Sequence, residues 1–143
     1  MSVVAEARPG DEAIGGGALD GVAGDRRRIV VVGPCASGKS TLVEGLRRLG
    51  YRAMVSGQEH SEIPTLWRHA EPDIVVALDV DLPALRRRRG EEWPEWLYRL
   101  QRKRLWGAVA AADLRVDTSA LGPDPILQRV AEWLERRASQ PGG

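Results

Sequence analysis

One segment of the chain restricts its fold more than any other: an apolar run, a glycine-rich loop and a helical pattern follow one another directly. The apolar run, Ile29-Val30-Val31-Val32, consists of β-branched residues, which predicts a parallel strand covered on both faces. After the loop, Leu42, Leu46 and Leu49 recur at helical spacing, and Gly50 marks the end of the helix. This order predicts a strand–loop–helix unit of a parallel sheet.

Strand and helix patterns continue to alternate along the rest of the chain. Further strands are predicted at 52–55, 74–78 and 114–116, and helices at 63–69, 83–89, 97–112 and 125–137, the last with Asp124 as its N-cap. Strands separated by helices imply right-handed crossovers and helices on both faces of the sheet. We therefore expect an α/β three-layer sandwich around a short parallel sheet of about four strands.

The length of 143 residues suits one domain. Residues 1–24 mix Ala, Gly and acids without periodicity, and such a composition buries too little surface to offset its ordering entropy. We therefore predict a flexible tail over 1–28, one folded domain over 29–138 and a disordered end over 139–143.

The glycine-rich loop matches the phosphate-binding pattern G-x-x-x-x-G-K-[ST]. It reads Gly33-Pro34-Cys35-Ala36-Ser37-Gly38-Lys39-Ser40, and Thr41 follows. In such a P-loop the glycines let backbone N–H groups point at phosphate oxygens, the lysine reaches the β- and γ-phosphates, and the serine hydroxyl ligates Mg²⁺. Of the 21 basic residues only Lys39 and Lys103 are lysines. One of these two lysines therefore occupies the position of the pattern that requires a compact ammonium group. Because no N-K-x-D guanine motif follows, the sequence predicts MgATP binding by residues 33–41.

The order of segments over residues 29–138 resembles the small P-loop kinases of the shikimate kinase and nucleoside monophosphate kinase type. The P-loop is followed by a strand with polar residues at its exit, a Val-Val-Ala-Leu-Asp strand before clustered arginines, and a closing Ala-Asp-Leu-Arg-Val-Asp-Thr segment at 112–118. Of these, only the P-loop is a highly specific motif. The resemblance implies transfer of the γ-phosphoryl group of MgATP to a small-molecule acceptor.

The resemblance also suggests roles for arginines. The run 86–89 lies where these kinases carry a lid that closes over ATP, with Arg88 the catalytic candidate, although a solvated helix end is the alternative. Arg104 shares the apolar stripe of its helix and therefore needs an anionic partner. That partner is either the ligand or a structural carboxylate such as Asp79 or Asp113. The segment 118–123 resembles the one that flanks adenine.

The chain departs from the family where a Walker-B aspartate would stand. The nearest replacement is Glu59, just past the second strand, as general base or Mg²⁺ ligand, with His60 beside it to assist. The alternative is that both are ordinary turn residues. Asp79 is a competing Mg²⁺ ligand, and Ser40 is the third metal candidate. The catalytic candidates are thus Lys39, Glu59, Arg88 and Arg104. Cys35 is interpreted as a small filler rather than a redox switch.

Composition narrows the function classes. A net charge of +1 gives no reason to expect nucleic acid, a single cysteine excludes an intrachain disulfide, and no apolar run approaches the roughly 18 residues of a membrane span. We expect a cytoplasmic protein whose partners are a nucleoside triphosphate and a small acceptor, with a homodimer as a further possibility. The alternative function is a P-loop regulatory module with slow or no hydrolysis of the nucleotide.

Overall fold

The computed structural model describes residues 25–138, so positions 1–24 of the tail predicted over 1–28 and the end predicted over 139–143 lie outside the described residues. The elements are β1 (Arg28–Val32), α1 (Lys39–Arg48), β2 (Arg52–Val55), 3₁₀ helices at Gln58–His60 and Leu66–Ala70, β3 (Ile74–Asp79), α2 (Leu82–Arg89), α3 (Glu95–Ala111), β4 (Leu114–Asp117) and α4 (Pro123–Ala138). The strand and helix order follows the sequence prediction.

The four strands form one all-parallel sheet in the order β2-β1-β3-β4. Ile29 of β1 pairs with Ala53 on one side and with Ile74 on the other, and Val76 of β3 pairs with Leu114 of β4. The β1 strand is therefore central, which explains why its last four residues are fully buried and apolar. The predicted α/β class with a four-stranded parallel sheet is confirmed.

Helices cover both faces of the sheet. Because successive strand residues point to opposite faces, Ile29 and Val31 pack in one cluster with residues of α1 and α4, whereas Val30 and Val32 pack in another with residues of α3 and with Trp67. Each such fully buried aliphatic side chain contributes about 1.5–3 kcal/mol. The result is a three-layer arrangement in which the carboxyl ends of all strands share one edge.

The α2 helix lies beyond that edge and has its own small apolar cluster. Val80, Ala84 and Leu85 are buried there, with Trp93 and Tyr98 packed against them. The side chain of Asp81 caps the helix by accepting a 2.8 Å hydrogen bond from the N–H of Ala84. Basic side chains fill the last turn of α2, where the helix dipole favours them.

Several boundaries differ from the sequence prediction. The α4 helix begins at Pro123, so Asp124 lies in its first turn, and its prediction as the N-cap was wrong. The segment predicted as a helix over 63–69 forms a 3₁₀ helix only over Leu66–Ala70, and the 3₁₀ helix at Gln58–His60 was not predicted. Within residues 25–138, no helix has the length and apolar character that crossing a membrane requires.

Candidate functional site

The glycine-rich loop, residues 33–38, joins β1 to α1 at the carboxyl edge of the sheet. A Cβ atom on Gly33 would lie 2.6 Å from Ser37 Oγ and 2.8 Å from the carbonyl oxygen of Leu78, so only glycine fits there. Gly38 caps α1 in a left-handed conformation, with φ of 100°, and supplies no side chain to the first N–H groups of the helix. The loop therefore curls tightly and leaves helix donors available to an anion.

Lys39 begins α1 and is almost wholly buried. Its Nζ atom lies 2.9 Å from Glu59 Oε2 and donates a 3.0 Å hydrogen bond to the carbonyl oxygen of Pro34. The side chains of Lys39 and Glu59 are only 9% and 5% exposed, so both charges have left water. Each depends on the other, because an unpaired buried charge is strongly unfavourable.

Glu59 reaches Lys39 because β2 pairs directly with β1 and the chain then turns back through the 3₁₀ helix Gln58–His60. The buried side chain of Gln58 fixes this turn: it donates to the carbonyl oxygen of Ile63 at 2.8 Å and accepts from the N–H of Trp67 at 3.0 Å. The second carboxylate oxygen of Glu59, Oε1, is buried and has no hydrogen-bond partner among residues 25–138. Such an atom normally has a partner or a bound ligand.

Cys35 and His60 lie beside the same carboxylate. Cys35 Sγ is 4.0 Å from His60 Nε2, which is 3.4 Å from Glu59 Oε2. Gln101 of α3, 2% exposed, accepts a 3.0 Å hydrogen bond from the N–H of Cys35 and donates a 3.2 Å one to Cys35 Sγ. The α3 helix therefore holds the loop at this cysteine.

Arg88 is the arginine of α2 that reaches the glycine-rich loop. Its guanidinium donates to the carbonyl oxygen of Ala36 at 2.7 Å, to that of Thr118 and, more weakly, to those of Ser119 and Leu121. The hydroxyl of Thr118 in turn donates to the carbonyl oxygen of Ser37 at 2.9 Å. One side chain thus joins the loop after β1 to the loop after β4.

A cleft of about 400 Å³ opens beside this bridge. Ala36 and Gly38 form one wall, Arg88 another, and Leu121 and Ile126 a third. The turn after β4 that shapes the third wall is fixed by Asp117, whose carboxylate accepts hydrogen bonds from the hydroxyl and the N–H of Ser119. These bonds lower the pKa of Asp117 below its ordinary value. The segment predicted to flank adenine, 118–123, therefore borders a cleft.

Arg104 of α3 contacts the turn that carries Glu59. Its side chain is 19% exposed, and it donates 3.3 Å hydrogen bonds to the carbonyl oxygen of Glu59 and to the carboxylate of Glu62. The structural carboxylate beside Arg104 is therefore Glu62, and neither acid suggested as an example is its partner, because Asp79 pairs with Arg102 and Asp113 with Arg137. The Nε atom of Arg104 is buried without a partner in the described part of the chain.

The remaining predicted site residues differ in position. Ser40 and Thr41 are exposed at the start of α1, directly after Lys39. Asp79 ends β3, and its half-exposed carboxylate is held by Arg102 on α3 and by the N–H of Val80. Ser40 thus directly follows the lysine that pairs with Glu59, whereas the carboxylate of Asp79 belongs to a separate ion pair.

Sequence reasoning missed Gln58 and Gln101. Both are buried and use their side-chain amides to fix the residues around the loop. Gln101 carried a signal, because it lies four residues from both Leu97 and Leu105 and so falls on the apolar stripe of α3. A polar residue on such a stripe requires a hydrogen-bond partner.

No protein-family model matches this sequence, and a comparison with curated proteins finds no match.

Proposed function

We propose that this chain binds MgATP through residues 33–41 and transfers its γ-phosphoryl group to a small-molecule acceptor. The observation that carries the proposal is the buried position of Lys39, held between the carbonyl oxygen of Pro34 and the carboxylate of Glu59. Burying a lysine at the start of a helix is unfavourable unless an anionic partner compensates its charge. At the end of a glycine-rich loop, a phosphate group can be that partner when a nucleotide binds.

The cleft between the loop and the 118–121 segment supplies a place for the base. Its volume of about 400 Å³ lies within the range of small-molecule sites, about 300–1,000 Å³. Apolar side chains of Leu121 and Ile126 line one wall, and Gly38, which begins the phosphate-facing helix, lines another. A nucleotide lying across Gly38 would place its base in the cleft and its phosphates at the N–H groups of α1.

The residues present also fit Mg²⁺. Ser40 presents an exposed hydroxyl one residue after Lys39, and Glu59 has a buried carboxylate oxygen without a partner within residues 25–138. Oxygen donors of this kind are the ligands that Mg²⁺ accepts, with water completing its shell. The ion would neutralise charge on the phosphate oxygens.

Phosphoryl transfer needs positive charge around the migrating group and a base at the acceptor. Arg88 supplies a guanidinium at the edge of the loop, and Arg104 supplies a second beside the Glu59 turn. In this proposal Lys39 exchanges the carboxylate of Glu59 for phosphate when the nucleotide binds. Arg88 stabilises the phosphoryl oxygens, Arg104 binds the acceptor, and Glu59 either accepts the proton of the acceptor hydroxyl or binds Mg²⁺.

A regulatory nucleotide-binding module is the second candidate, and a specific observation favours it. Both candidate arginines already have protein partners: Arg88 holds four backbone carbonyls and Arg104 holds Glu62. Arginines with these contacts stabilise loops. A module that only changes conformation with the bound nucleotide requires no arginine at the phosphoryl group.

Nucleotide binding is tested by thermal unfolding with and without MgATP. At a ligand concentration of one hundred times Kd we expect about 2.7 kcal/mol of added stability. Lys39→Met should abolish the gain, whereas Lys103→Met, which changes an exposed lysine on α3, should keep it. Each variant is compared with its own ligand-free state, and Lys39→Met/Glu59→Gln replaces the single variant if that one unfolds. An unchanged gain in the Lys39 variants would contradict the nucleotide site.

Phosphoryl transfer is tested by ADP release with shikimate or ribonucleoside monophosphates as acceptor probes. We expect one probe to raise ADP release above the rate with water alone, and Arg104→Met to lower the stimulated rate at least tenfold while MgATP binding persists. Nucleotide binding with no stimulation by any probe would favour the regulatory module.

A further inference from the structure

Three side chains of the types that transition metals prefer lie close together at the glycine-rich loop. Cys35 comes from the loop, and Glu59 and His60 come from the 3₁₀ helix after β2, and their potential ligand atoms all lie within 4.8 Å of one another. The Sγ of Cys35 is 4.0 Å from Nε2 of His60, and that nitrogen is 3.4 Å from Oε2 of Glu59. These contacts join two segments that are more than twenty residues apart.

An unpartnered atom marks this cluster as incomplete. The Oε1 atom of Glu59 is buried and accepts no hydrogen bond from any residue in the described range, although Oε2 is paired with Lys39. A buried carboxylate oxygen without a donor has lost its hydration without compensation, which is unfavourable. A cation bound by the carboxylate would satisfy this atom.

The spacing suits tetrahedral zinc. Zn–S bonds of about 2.3 Å and Zn–N or Zn–O bonds of about 2.0–2.2 Å place neighbouring ligand atoms about 3.3–3.6 Å apart. The distance between His60 Nε2 and Glu59 Oε2, the oxygen that also contacts Lys39, is in that range, and the distance from Nε2 to Cys35 Sγ exceeds it by less than an ångström. A thiolate, an imidazole and a carboxylate together match the preference of zinc, whereas Mg²⁺ and Ca²⁺ take oxygen ligands.

The residues around the cluster orient one potential ligand and leave another accessible to solvent. Gln101 donates a 3.2 Å hydrogen bond to Cys35 Sγ, which orients the sulfur. The side chain of His60 is 64% exposed, so an ion reaches the cluster from solvent. Lys39 opposes binding through its positive charge at Oε2, so the ion is held less tightly than in a closed structural site.

We infer that Cys35, Glu59 and His60 form a Zn²⁺ site that holds the glycine-rich loop to the turn after β2. Binding releases the thiol proton of Cys35 to solvent, the three side chains occupy three tetrahedral positions, and water takes the fourth. The site differs from the proposed Mg²⁺ position in using Cys35 and His60 in place of Ser40, and the two ions would compete for the carboxylate of Glu59. It forms in the nucleotide-free protein and does not depend on the proposed function.

The test uses the full chain, stripped with a chelator and free of nucleotide, titrated with Zn²⁺ against a chromophoric competitor. We expect one equivalent of zinc to bind, and Co²⁺ to give the near-ultraviolet charge-transfer absorption of a cobalt–thiolate bond. Cys35→Ser should remove that absorption, and Cys35→Ser and His60→Gln should each weaken zinc binding at least tenfold. The matched control is His69→Gln, because His69 is the only other histidine of the chain and is exposed.

Retained secondary structure by circular dichroism ensures that a variant's loss reports the site, and Cys35→Ala replaces Cys35→Ser if the latter unfolds. Wild-type affinity in the cysteine variant, a cobalt spectrum without charge-transfer absorption, or an equal loss in His69→Gln would each overturn the proposal. Stoichiometric binding that depends on both Cys35 and His60 supports it.

Discussion

Lys39 and Glu59 illustrate what a buried ion pair requires of a small protein. Both side chains have lost their hydration, and the contact of 2.9 Å between Nζ and Oε2 recovers part of that cost. Lys39 has a second partner in the carbonyl oxygen of Pro34, whereas Glu59 has an oxygen without one within residues 25–138. Removal of the two side chains should therefore have unequal effects on stability. Without Lys39 the buried carboxylate loses its charged partner, whereas without the Glu59 carboxylate Lys39 still donates to the carbonyl oxygen of Pro34.

This inequality predicts an asymmetric double-mutant cycle. Lys39→Met should lower the free energy of unfolding by about 3–5 kcal/mol, because it leaves a buried carboxylate unpaired. Glu59→Gln should cost less, about 1–3 kcal/mol, because the carbonyl of Pro34 still accepts from Lys39. The double variant should be more stable than Lys39→Met alone. Urea unfolding of the four proteins measures the coupling.

The exposed pair Glu95–Arg99 on α3 is the matched control for that cycle. Its side chains are 52% and 75% exposed, so its coupling should be only about 0.3–0.5 kcal/mol. If the cycle at Lys39 and Glu59 gave no larger coupling than this control, the buried pair would not be a stabilising contact in solution.

How well sequence predicts a residue's place depends on whether the place is set locally. The position of Lys39 follows from the loop motif and the helix after it, and Glu59 was placed near the loop because polar residues after parallel strands gather at one edge. That Glu62 pairs with Arg104 was missed, because the turn over 58–62 is fixed by contacts of Gln58 with residues further along the chain.

Among the elements, α2 connects parts of the molecule that are otherwise separate. Its last turn carries four arginines, and three have described contacts: Arg86 donates to the carbonyl oxygen of Trp93, Arg89 stacks over the Trp93 ring, and Arg88 bridges the two loops. Sequence predicted the helix and the arginine cluster. It did not predict which carbonyls Arg88 reaches, because these belong to irregular loops whose backbone is set by tertiary contacts.

The bridging role of Arg88 predicts a local loss of order in its variant. Arg88→Met keeps the aliphatic stem but removes the donors, so unfolding free energy should fall by about 1–2 kcal/mol. Hydrogen exchange at residues 118–121 should accelerate, because those carbonyls lose their donor. Arg87→Met, an exposed neighbour on α2, should change neither quantity. Equal exchange at 118–121 in both variants would show that Arg88 does not fix that loop.

At the scale of the whole molecule, a contact joins the beginning of the described chain to its last helix. Arg27 forms a 2.8 Å ion pair with Asp25 and donates a weaker hydrogen bond to the carbonyl oxygen of Leu134 in α4. The side-chain hydrogen bond from Arg27 lowers the pKa of Asp25, while burial opposes the shift. A carboxyl group with a lowered folded-state pKa stabilises the fold above its ordinary pKa of about 3.9, and this contribution is lost as the pH falls through the folded value.

Asp25→Asn should therefore reduce stability at about pH 6 by roughly 0.5–1 kcal/mol, a value limited by partial exposure of the pair. The difference from wild type should shrink as the pH falls below about 3.9 and passes through the lowered folded-state pKa of Asp25, because the aspartate is then neutralised by a proton. Melting temperatures across that range measure it. Glu44→Gln, which neutralises an exposed residue of α1, controls for the change in net charge. A difference independent of pH would contradict an ionised role for Asp25.

The overall architecture was readable from the sequence because it follows from repeated local patterns. The buried strands at β1 and β3 are short β-branched or apolar runs, and α4 repeats Ile126, Val130 and Leu134 at four-residue steps, all of them buried. The boundary of α4 was less predictable, since Pro123 and Pro125 both suit the first turn of a helix.

The contacts of Arg88 and Thr118 also say something about synthesis. The loop at residues 33–38 leaves the ribosome first, but the hydroxyl that holds the carbonyl of Ser37 belongs to a residue made 81 positions later. A nascent chain that ends before β4 contains all residues of the glycine-rich loop pattern but none of residues 118–121, which border the cleft. The motif is therefore synthesised well before the candidate site can form.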